Sequence, residues 1–111
     1  MFRLPDPNEP LTVTVPVTIP VPQDGGRPKG EEIDVTFQIP LQDQLEEALA
    51  DVNGDVLARY LVGFDKVNDA AGKPLVFSDE NKASLLRVTY ARTALSQKFF
   101  AVVRGEGRLG N

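Results

Sequence analysis

The sequence predicts an α+β fold in which an N-terminal antiparallel β-ribbon packs on a C-terminal helical half. Three observations carry that prediction. Apolar residues alternate with polar ones or prolines from Leu11 to Val21 and again from Glu32 to Ile39, the period of a strand. Turn formers and charges fill Pro22 to Glu31 between them, as at a hairpin tip. From Leu41 onward the apolar spacing becomes helical, with start and stop residues in place.

The chain has 111 residues, enough for one domain with a modest core. It is expected to divide into a flexible leader (1–10), a single domain (11–104) and a flexible tail (105–111). Acidic residues number 16 against 12 basic, for a net charge of -4, where a nucleic-acid-binding chain is expected to carry a basic face. Cysteine and histidine are absent. Their lack removes disulfides, thiolate chemistry, the usual zinc ligands and the commonest proton shuttle near neutral pH. No apolar run suits a signal peptide or a membrane helix. The expectation is a soluble cytoplasmic protein that binds neither nucleic acid nor membrane, needs no cofactor and is not an enzyme.

Leader residues Pro5, Pro7 and Pro10 resist helix and sheet alike. In the first strand, Pro16 and Pro20 occupy positions where a central strand would need backbone donors, so Leu11–Val21 is expected at a sheet edge, or as two short strands bent near Pro16. The second strand, 32–39, turns Ile33, Val35, Phe37 and Ile39 to one side. A lone ribbon is marginal in water, so this apolar face requires a cover.

Leu41, Leu45, Ala48, Leu49 and Val52 place a helix over 41–52, stopped by Asn53 and Gly54. Asp55 is positioned to cap a second helix over 55–62, although the same stretch also suits a strand. Gly63 reads as a hinge that permits either close backbone approach or positive φ. Further on, Ser78 is positioned to cap a helix beginning at Asp79, whose first-turn acids Asp79 and Glu80 suit the helix dipole. A turn around Arg87–Thr89 then leads to a last helix from Tyr90 to about Arg104.

Two motif matches lack their mechanism. Asp51, Asn53 and Asp55 mimic the start of a calcium-binding EF-hand loop, but Val56 and Val62 stand where Gly and Glu are required. Gly105, Gly107 and Gly110 spell G-x-G-x-x-G, yet no helix follows to present its N-terminus to a phosphate. The carboxylates and amide of Asp65, Asn68 and Asp69 read as turn chemistry. Phe64, Phe99 and Phe100 are the candidate partner-binding residues, each with ordinary core packing as its alternative. Phe99 and Phe100 are adjacent and cannot point the same way on a helix.

From Tyr60 to Phe77 runs YLVGFDKVNDAAGKPLVF, followed by SDEN and, after a few residues, VTYARTALSQKFF. Its pattern is Gly-aromatic-x-x-Val, an Asp-x-x-Gly turn, a short Pro-apolar-x-Phe-Ser strand and Glu-Asn opening a helical tail. This resembles the tail assembly chaperones of bacteriophages with long, non-contractile tails, in which Trp often stands at the place of Phe64. The resemblance spans nearly the whole chain. It implies a protein that acts in the cytoplasm of the infected bacterial host, binds and solubilises the tape-measure protein, and is absent from the finished virion. It further implies a longer frameshifted form that contacts the tail-tube protein, and weak self-association. The competing expectation is a structural tail subunit, of terminator or connector type, that remains in the particle.

Overall fold

The computed structural model describes residues 1–106. Alternating apolar residues make β1 (Leu11–Val21) and β2 (Lys29–Ile39) an antiparallel pair that runs without interruption from Leu11↔Ile39 to Val21↔Lys29. A third strand, β3 (Leu61–Asp65), pairs antiparallel with the other side of β2, giving the order β1-β2-β3. The proline-bearing strand therefore lies at an edge as expected, unbroken at Pro16. The α+β class is also as expected, with one more strand than the ribbon.

Helices α1 (Gln42–Ala50), α2 (Val56–Tyr60), α3 (Asp79–Leu86) and α4 (Thr89–Val103) complete the fold. The longest of them, α4, lies against β1. Its Ala91, Leu95 and Phe99 are buried together with Val17, Ile19, Ile33, Val35 and Phe37 of the sheet. Leu57, Tyr60 and Leu61 join the same core, to which α1 contributes Leu45 and Ala48. Odd-numbered residues of β1 and β2 thus face the helices, because side chains alternate across a strand. The opposite face is polar: Thr14 and Thr36, paired in register, share a 2.7 Å hydroxyl–hydroxyl hydrogen bond.

Several expected boundaries move, each for a local reason. The first helix is 42–50 rather than 41–52, because Asp51 takes an extended conformation and its carboxylate accepts from the Asn53 N–H at 3.0 Å. Gln44 accepts from the Leu41 N–H at 2.9 Å, which closes the helix start. The expected helix 55–62 splits. Asp55 does cap it, accepting from the Leu57 and Ala58 N–H groups at 3.1 and 3.3 Å, but Leu61 leaves the helix and opens β3.

At Gly63 the requirement is close approach, since an added Cβ would sit 3.3 Å from the Thr36 Cβ. The left-handed backbone falls instead on Lys66, at φ 65°. β2 begins three residues before the expected Glu32, at Lys29, where pairing with Val21 extends the ladder. Pro74–Phe77 is not the short strand that the resemblance implies. Pro74 forms an isolated bridge to Asn68, and Val76 is 79% exposed. At the last helix junction Val88 occupies the cap position and Thr89 is the first helical residue. Met1–Pro10 contains no helix or strand and is exposed throughout. Of the glycine motif, only Gly105 belongs to the described residues.

Candidate partner-binding surfaces

The three candidate phenylalanines occupy three different environments. Phe99 is fully buried. Its ring meets Phe37 edge-on with centroids 5.3 Å apart and lies nearly parallel to Tyr60 at 5.8 Å. Both geometries are favourable aromatic contacts that add to apolar burial. In this conformation Phe99 presents no surface to a partner, and its role is to join α4, β2 and α2.

Phe100 follows on the same helix about 100° around the axis and is half-buried. Its ring meets that of Phe99 edge-on at 5.3 Å, which leaves part of the ring in solvent. Phe64 is also half-buried, on β3 opposite Val35. It stands edge-on to Phe77 at 5.1 Å. Phe77 was not among the candidates. Its signal was the apolar run re-entering at Leu75, and the structure pairs it with Phe64 across the turn rather than extending it as a strand.

That turn is built by Asp69. The side-chain Oδ1 accepts from Ala71 and Lys73 N–H groups, both at 2.9 Å, while its N–H donates to the Lys73 carbonyl at 2.7 Å. Gly72 adopts φ 84°, the left-handed region where a side chain is strained. Turn chemistry thus accounts for Asp69. Asp65 accepts from the Lys66 N–H at 2.9 Å. Lys66 Nζ reaches Asp34 at 3.0 Å, and this bond, with the charge of Asp34, raises its pKa.

Ser78 caps α3 as expected, accepting from Asn81 N–H at 3.0 Å. Lys82 on that helix then reaches across to α2, donating from Nζ to the carbonyls of Ala58 and Leu61 at 2.7 and 3.2 Å. A cation there suits the negative end of the helix dipole. Asp55, at the other end of α2, pairs with Arg92 of α4 at 2.6 Å. Burial pushes the Asp55 carboxyl up, but the hydrogen bond from Arg92, the N–H groups of Ala58 and Leu57 and the Arg92 charge outweigh it and hold the pKa below the usual value. These clamps fix α2, and with it the start of β3 that carries Phe64.

A concavity lies elsewhere, along the free edge of β1. It is an open groove of about 770 Å³ between β1 and α4, with Val17, Pro16 and Pro20 on one wall and Tyr90, Ala94 and Ala101 on the other. Glu32 and Lys98 border it from opposite sides. Sequence periodicity assigns residues to faces of an element and carries no distance between elements, so the groove was not legible in it. Among the described residues, no three Asp or Glu side chains converge on a point that would hold a metal ion. No helix among them is long and apolar enough to cross a membrane.

No protein-family model, no curated protein and no solved structure matches the chain.

Proposed function

We propose that this chain is a tail assembly chaperone of a long, non-contractile-tailed bacteriophage, which binds the tape-measure protein in the host cytoplasm and keeps it soluble until the tail is built. The reading rests on the resemblance carried by Tyr60–Phe77 and the helical tail that follows. The observation in its favour is the similar setting of Phe64 and Phe100, at separate places in the fold: each ring is half-buried and seated edge-on against a second ring. A ring held in this way loses little conformational freedom when a partner covers its remaining face, which favours binding by pre-organisation.

The mechanism is transient burial. A tape-measure protein presents apolar helical faces that aggregate when uncovered, and half-exposed aromatic rings on a small acidic domain cover them without covalent chemistry. The net charge of -4 keeps the covered complex dispersed by mutual repulsion. In this reading a longer frameshifted form recruits the tail-tube subunits.

The test is co-purification with the tape-measure protein. Phe64→Ala and Phe100→Ala, singly and together, are expected to reduce the amount of client retained while leaving the circular dichroism spectrum of the chaperone unchanged. Retention unaffected by the double variant would remove these residues from the interface. Closed rings formed without client would instead favour a structural tail subunit.

A further inference from the structure

The exposed N-terminal leader and the β1–α4 groove match each other in polarity and carry opposite charges, Arg3 on the leader and Glu32 on the groove. In the leader, Phe2 is 85% and Leu4 79% exposed. When the segment is extended, two residues of spacing put both side chains on one face, with Arg3 on the other. The groove has apolar walls, and its volume of about 770 Å³ falls among those that take up ligands of several side chains' size. Its borders carry opposite charges, Glu32 on the sheet side and Lys98 on the helix side. Neither Glu32 nor Arg3 makes an ion pair among the described residues, and Lys66, which feels Glu32, is bonded to Asp34.

A leader cannot fill the groove of its own chain. Pro5, Asp6, Pro7 and Pro10 line a crevice of about 100 Å³ with Ile39, Pro40 and Leu41, at the end of β1 where Leu11 pairs with Ile39. Four extended residues ahead of Pro5 reach at most ~14 Å. From Leu11 to Pro16, the nearest groove residue of β1, the strand itself covers about 17 Å. The occupant therefore comes from another molecule.

We propose that Phe2 and Leu4 of one copy seat in the groove between β1 and α4 of a second copy, with Arg3 paired to Glu32. Lys98 repels Arg3 from the helix wall, which sets the direction in which the leader lies. The leader adds few backbone bonds to the β1 edge, because Pro16 and Pro20 supply no donors there. Side-chain burial and the ion pair do the binding, so the contact is small and transient. It is also heterologous: every copy offers one leader and one groove, and association propagates head to tail. None of this depends on the client reading.

Sedimentation velocity of the full chain alone, over a rising concentration series, tests the proposal. The wild-type protein is expected to shift to faster species as concentration increases. Arg3→Glu and Glu32→Arg each place like charges together and weaken association roughly tenfold, whereas an equimolar mixture of the two variants restores it. Phe2→Ser with Leu4→Ser remains monomeric with an unchanged melting curve, because both residues lie outside the core. A wild-type chain that stays monomeric throughout overturns the proposal. So does association that survives the Phe2/Leu4 double variant, or charge variants that do not complement one another.

Discussion

Two adjacent phenylalanines of α4 lie in different surroundings, Phe99 buried and Phe100 half-buried. Phe99 is fully enclosed and touches the rings of Phe37, Tyr60 and Phe100. Phe99→Ala is expected to cost about 3–5 kcal/mol, and Phe100→Ala well under half of that because its ring already meets water; urea unfolding midpoints measure both. Asp55 supplies a pH-dependent contribution. Its folded pKa lies below the usual value, so its stabilisation is present above the unfolded carboxylate pKa of about 4 and disappears as pH falls through the lower folded value. The stability gap between wild type and Asp55→Asn is therefore expected to be widest above about pH 5 and to close in acid. A gap independent of pH would show that the Asp55 carboxyl has the same pKa folded and unfolded, and would overturn this reading. The sequence made one of Phe99 and Phe100 a core residue and left the other as either a second core contact or an exposed site. It could not say which, since that depends on where α4 meets Phe37.

At the scale of elements, the bounds of β1 were legible because its apolar residues alternate throughout, while the choice between one strand and two bent near Pro16 was settled by the unbroken ladder with β2. Prolines at Pro16 and Pro20 leave gaps in the row of donors on the free edge, a known guard against edge-to-edge pairing. Pro16→Thr with Pro20→Thr restores two donors to a strand-favouring sequence, and light scattering on heating is expected to rise earlier than for wild type. Equal scattering would mean that α4 and the groove, rather than the prolines, protect that edge. The third strand was less legible. Leu61–Asp65 follows α2 directly, so its short apolar run reads equally well as the end of a helix. Only pairing with Asp34–Phe37, distant in sequence, decides the matter. The turn after it was readable from Asp69 and Gly72, whereas the strand expected at Pro74–Phe77 is not formed: Pro74 makes an isolated bridge to Asn68, and Phe77 packs on Phe64.

For the whole molecule, the sheet and helices share one core, and some of the apolar side chains outside it form distinct sets. Phe64 and Phe100 are half-covered rings; Phe2 and Leu4 stand on an extended leader; the β1–α4 groove is an apolar recess. This distribution suits a protein whose work is reversible contact with other chains. The measurement that bears most directly on that account is the soluble fraction of the tape-measure protein produced with and without this chain in the same cells. The account predicts that co-production moves the tape-measure protein from the pellet to the supernatant, in a complex that co-elutes with this chain, and that the Phe64→Ala, Phe100→Ala double variant returns much of it to the pellet. A tape-measure protein that remains insoluble beside abundant, folded wild-type chain would contradict it.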